Sequence, residues 1–157
     1  MTDHDPVTDD ATRSPDTQPV SPRDDHGLTR RDGETYEHDP VTHRIIGCAI
    51  EVHRQLGPGL LENTYEEALC LELTHARLSF VRQVSVPVYY KGHLIGEHRP
   101  DLVVQDKVVV EVKSVERLIA VHQAQLLAYM RLLEKPVGLL LNFNSDVLRT
   151  GIRRLAI

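Results

Sequence analysis

The chain has 157 residues, with 18 Lys and Arg against 23 Asp and Glu, a net charge of −5 and two cysteines. The length suits one domain. Even residues 41–157 alone, at +2, fall short of the footprint of a dedicated basic DNA-binding module, and no apolar run nears the about 18 residues of a membrane span.

Residues 1–40 differ from the rest. They hold five of the nine prolines, eleven acidic residues and four arginines, a local charge of −7, and no apolar periodicity. Such a segment cannot bury enough apolar surface to offset its ordering entropy, so we expect a disordered acidic tail. Residues 41–157 then form one folded domain of charge +2. The acidic balance belongs to the tail and says little against a nucleic-acid partner. The N-terminus carries no apolar signal core, and Cys48 and Cys70 lack metal or redox spacing. These features predict a cytoplasmic protein whose cysteines are small buried hydrophobes.

Ile45, Ile46, Ala49, Ile50, His53 and Leu56 recur at helical spacing up to the breaker Gly57-Pro58-Gly59. A second helix follows, with Leu61, Tyr65, Ala68, Leu69 and Leu73 on its faces, fading near Ala76. Residues 80–90 alternate as a strand would, with Pro87 pointing to an edge or a bulge. Lys91-Gly92-His93 is a turn, residues 94–104 read as a second strand and 108–113 as a third. Residues 119–133 are a long helix ended by Pro136, 137–143 a buried strand parallel to a neighbour, and 152–157 a short last strand. The order predicts an α/β fold with a mixed sheet: an antiparallel meander, then a right-handed strand–helix–strand crossover.

Charges are expensive in valine-rich strands unless they are paired or bind a metal. Glu111 and Lys113 are two apart on one strand and share a face, and Asp101 lies on the strand before. Asp101 faces Glu111 only if the connection has an odd number of residues, such as Gln105-Asp106-Lys107, or a bulge precedes Val108. A two-residue Asp106-Lys107 turn would put the acids on opposite faces. Converging carboxylates suit Mg²⁺ or Mn²⁺, with Lys113 orienting water or stabilising phosphate charge. A surface ion pair, with Asp101 as a turn residue, meets the same spacing. Glu62 in a first helical turn is also what the helix dipole favours. Gln125 and Tyr129, one turn apart, can hold a phosphate oxygen, or can be a solvated and a core residue; His122 could join them. Arg149, Arg153 and Arg154 could touch phosphates or simply be solvated.

Gly59-Leu60-Leu61-Glu62-Asn63-Thr64-Tyr65 matches a GxxExxY signature. Residues 45–157 resemble the GxxExxY family of small bacterial proteins, itself similar to the PD-(D/E)XK nuclease superfamily. Pro100-Asp101, Glu111-Val112-Lys113 and Gln125 to Tyr129 resemble that superfamily's three motifs. The resemblance implies a restriction-endonuclease-like core, a central mixed β-sheet flanked by helices. It implies Asp101, Glu111 and the Val112 carbonyl as ligands of Mg²⁺ or Mn²⁺, Lys113 as catalytic lysine, Glu62 as a helix acid near the metal, and Gln125 and Tyr129 as active-site supports. The expected function is hydrolysis of DNA phosphodiesters by metal-activated water, with RNA as another substrate. A homodimer would supply two sites for a double-strand cut. The alternative is a catalytically silent module of the same fold that binds nucleic acid or an unidentified protein partner.

Overall fold

A computed structural model describes residues 39–157. Its first element, α1 (Pro40–Leu56), is capped by Asp39, whose Oδ1 accepts from the Val41 amide at 3.1 Å and Oδ2 from the Thr42 hydroxyl at 3.2 Å. Pro40 takes the first helical position, where no N–H is needed. The expected boundary at residue 40 therefore falls within a helix cap, and the rest of the expected tail lies outside the described residues.

Gly57, with φ at 65°, turns the chain out of α1. Tyr65, in α2 (Glu62–His75), staples the turn that follows. Its hydroxyl donates to Gly57 O at 2.6 Å and accepts from the Leu60 N–H at 3.1 Å, while its ring stacks on Phe143 at 4.6 Å. The tyrosine of the signature is thus an anchor that fixes where α2, and Glu62 at its start, begins.

The two long strands expected next are each two strands. Residues 80–90 divide into β1 (Phe80–Arg82) and β2 (Val86–Tyr90), and residues 94–104 lie across β3 (His93–His98) and β4 (Leu102–Val104). The breaks have physical causes. Gln83 sits at φ 48°, which takes the chain out of the sheet after β1, and Pro100 has no N–H to give a ladder before β4. β1 pairs with β4, while β2 and β3 form a separate two-stranded sheet. There is accordingly no simple three-strand meander. A period-two pattern reports which residues share a face; it does not report when a strand changes sheets. Pro87 does sit where expected: among the described residues β2 has one partner only, and the register shifts between Val88 and Tyr89.

The main sheet has the order β1-β4-β5-β6-β7, with β5 (Val108–Lys113) and β6 (Val137–Asn142) parallel and joined through α3 (Ala120–Leu132). A short 3-10 turn, Leu148–Gly151, not anticipated from the sequence, leads into β7 (Ile152–Ala156). This is a mixed five-stranded sheet with helices on both faces, a restriction-endonuclease-like arrangement. Alternation divides the core. Val110, Val112, Leu139 and Leu141 face α1 and α2; Val109 and Leu140 face α3. The approach of α3 depends on Gly138, where a Cβ would meet Met130 Sδ at 2.6 Å and Leu126 Cγ at 2.9 Å. Cys48 and Cys70 are buried free thiols, as expected, and burial pushes Cys70 up to about 11.

Candidate active site

The geometry that decides whether the two acids meet lies in the β4–β5 connection. Gln105 and Asp106 have φ of 53° and 52°, and the Lys107 N–H donates to Val104 O at 3.0 Å. This is a tight turn of the mirror-image type that suits hairpins. Val104 nevertheless pairs with Val108, so Lys107 is one extra residue between the turn and the strand. The connection has three residues, an odd number. Leu102 lies opposite Val110, which carries Asp101 opposite Glu111 on the α3 side of the sheet.

The two acids are locked together by the backbone. The Asp101 N–H donates to Glu111 Oε1 at 3.1 Å, and the Val112 N–H donates to Asp101 Oδ2 at 2.8 Å. In a strand, the N–H and C=O of one residue point the same way, so the Val112 carbonyl is also turned to the Asp101 side. Lys113 Nζ is 3.6 Å from Glu111 Oε2 and donates to Gln125 Oε1 at 3.2 Å; Gln125 Nε2 donates to the Tyr129 hydroxyl at 3.0 Å. One polar chain thus runs Glu111–Lys113–Gln125–Tyr129 from β5 to α3. His122 does not join it: its Nδ1 accepts from the Ile119 N–H at 3.2 Å at the start of α3.

Glu62 approaches from the other side of the sheet. Its Oε1 accepts from the Ser114 N–H at 3.1 Å, just past the end of β5, and the Ser114 hydroxyl donates to Leu60 O at 2.6 Å. Glu62, Asp101 and Ser114 line one cleft of about 520 Å³. The same cleft contains Glu66, a residue the sequence reading missed. Glu66 is buried, paired with Arg82 at 3.0 Å, and accepts from Gln83 Nε2, which also donates to Asp101 Oδ1 at 3.2 Å. The signal was present: Glu66 is four residues beyond Glu62 and so lies on the same helix face.

Burial and mutual repulsion set the electrostatics. Loss of solvent, then the charge of Asp101, raises Glu111 from the usual carboxylate range to about 7. Burial, with Glu66 adding to it, also raises Asp101, against the Val112 hydrogen bond. Burial raises the Tyr129 hydroxyl. Lys113 opposes both shifts without cancelling them.

The model of the PD-(D/E)XK nuclease superfamily matches residues 39–155. The chain belongs to this superfamily. No curated protein and no solved structure matches it.

Nucleases of this superfamily generally use divalent metals. Among the described residues, no group of three or more His, Cys, Asp or Glu side chains is set to hold one. The donors that do converge nonetheless fit a hard cation. They are two carboxylates and a carbonyl, all oxygen, and Mg²⁺ commonly takes one or two protein carboxylates and keeps its waters. A buried acid and a half-buried one, both raised toward neutrality, are also what a divalent charge relieves. The remaining candidates lie elsewhere. Arg153 Nη1 donates to Thr150 O at 3.1 Å and Ile152 O at 2.8 Å, and His53 Nε2 bonds Ser145 O at 2.7 Å. No helix among the described residues is long and apolar enough to cross a membrane.

Proposed function

We propose that this domain is a Mg²⁺-dependent nuclease that hydrolyses DNA phosphodiesters in the cytoplasm, of the GxxExxY branch. One observation carries the reading: the extra residue Lys107 puts Asp101 and Glu111 face to face beside Lys113, in a chain of the nuclease superfamily. Asp101, Glu111 and the Val112 carbonyl would hold the cation, which supplies Lewis acidity toward water and a phosphoryl oxygen. Lys113, held between Glu111 and Gln125, keeps its ammonium beside the acids, where it stabilises charge developing on the phosphate. Gln125 and Tyr129 fix the reach of that lysine from α3. Glu62 fixes the chain leaving β5 by accepting the Ser114 amide and lines the cleft.

The test is cleavage of single- and double-stranded DNA by the purified chain with Mg²⁺ or Mn²⁺. Wild type should cut and Lys113→Ala should lose about 10²–10³-fold. Equal cutting by Lys113→Ala, or none by wild type under any metal condition, sinks the proposal; DNA affinity without cutting would instead identify a silent binding module.

A further inference from the structure

The excursion of β2 and β3 out of the main sheet is unused by the site as described, yet it grows directly from it. β3 ends at His98, three residues before Asp101, and the His98 ring lies against the Tyr129 ring with centroids 5.9 Å apart. His98 pairs with the buried Val86. The extra residue at the register shift is Ile95 on β3, so alternation along β2 still puts Val86, Val88 and Tyr90 on one face, and the face that touches Tyr129 at its root carries Tyr90 near its tip. Tyr90 is paired there with His93. Tyr90 is 61% exposed, and Lys91 Nζ sits 5.4 Å from its ring centroid. Between root and tip, Gly96 stands opposite Val88 and leaves the ledge low.

We propose that this face of the hairpin is a ledge for a single-stranded nucleic acid leaving the active site, with an unpaired base stacked on Tyr90 and the backbone phosphate beside Lys91 and His93. The inference deepens the nuclease reading and rests on it for the choice of ligand. Three observations favour a nucleic-acid strand over another copy of the chain. The ledge is continuous with the candidate active site through the His98–Tyr129 contact. Its outer end combines an exposed aromatic ring with a cation, which is how strands are held without sequence preference. The hairpin edges discourage strand addition, because β2 carries Pro87, which has no N–H to offer, and β3 carries Glu97 and two histidines. A continuous duplex keeps its base faces stacked internally and cannot offer one to Tyr90, so the ledge selects substrates with unpaired ends, flaps or gaps.

The experiment measures binding of the full-length chain to a fluorescein-labelled oligothymidine and to a blunt duplex by anisotropy, in chelator so that nothing is cut. Wild type should prefer the single strand. Tyr90→Ala should weaken oligothymidine binding about tenfold and duplex binding less than twofold, whereas Tyr90→Phe should bind as wild type because stacking needs the ring only. Tyr89→Ala, on the opposite face, should change little. Equal affinity of wild type and Tyr90→Ala overturns the inference, as does an equal loss in Tyr89→Ala. Sedimentation supplies the remaining outcome: a wild-type dimer that Tyr90→Ala dissociates would assign the face to a second copy and overturn it. Because cleavage does not enter, Tyr90-dependent binding in chelator together with no cutting in the Mg²⁺ or Mn²⁺ assay refutes the nuclease reading and leaves the ledge standing, while cutting in that assay with binding independent of Tyr90 does the reverse.

Discussion

β5 and β6 run side by side in parallel, and both are buried along almost their whole length. Glu111 on β5 lies opposite Leu140 on β6, and both face α3. Leu140 does what a central strand position asks: it fills space between sheet and helix. Glu111 takes the same kind of position with a carboxylate that burial and Asp101 raise to about 7. The neighbour shows what this backbone accepts without strain, so the difference measures what the acid costs the fold. On the proposed reading, an acid held at that cost, hydrogen-bonded to the Asp101 amide and beside Lys113, serves a ligand rather than stability.

The largest expected effect breaks the comparison if it has the wrong sign. Glu111→Gln keeps shape and removes charge. Metal-dependent cleavage should fall by about 10²–10³-fold or more, while the metal-free protein should gain stability at pH 8, read by urea unfolding. A loss of stability would mean that the carboxylate supports the fold.

The same charge gives a pH dependence in the metal-free wild type. The folded state binds the Glu111 proton more tightly than the unfolded chain, so stability is fully present below the unfolded value of 4.5 and is lost as pH rises toward about 7. The loss amounts to up to about 3 kcal/mol. Glu111→Gln should flatten this part of the profile. Saturating Mg²⁺ at pH 8 should restore up to about 3 kcal/mol by binding the ionised pair, measured as a shift in Tm.

Gly138 sharpens the comparison from the β6 side. Gly138→Ala should push Met130 and Leu126 outward, destabilise the protein by about 1–3 kcal/mol and lower cleavage, because Gln125 and Tyr129 ride on the displaced helix. The smallest effect concerns the turn before α2. Tyr65→Phe keeps the stack on Phe143 and removes two hydrogen bonds, with an expected loss of about 1–2 kcal/mol in thermal or urea unfolding. Cleavage should hold so long as Glu62 still meets the Ser114 amide.

Much of this was legible in residue order. Alternation put Glu111 and Lys113 on one face, and helical spacing put Gln125 and Tyr129 one turn apart. The condition on the Asp101–Glu111 pair could also be stated from the sequence, and the extra Lys107 meets it. The two over-long strands were misread because Gln83 adopts a left-handed conformation that its residue type does not advertise, whereas Pro100 did. Glu66 was overlooked because an acid within a helix is ordinary until Arg82 at the end of β1 and Gln83 just after it arrive to bury it.

By itself, the sequence determined the element types, the apolar faces of the sheet and the roster of acids, because periodicity and local turn chemistry act over a few residues. Only the tertiary structure decided which strand pairs with which, that β2 and β3 leave the sheet, and that an acid just before β4 and one on β5 meet a lysine tethered to α3. Those outcomes depend on registers and helix approaches set by residues far apart in the chain, and no local pattern carries them. Solvent exclusion is a property of the assembled layers too, so Glu111 became a raised, buried acid only once α3 closed over it.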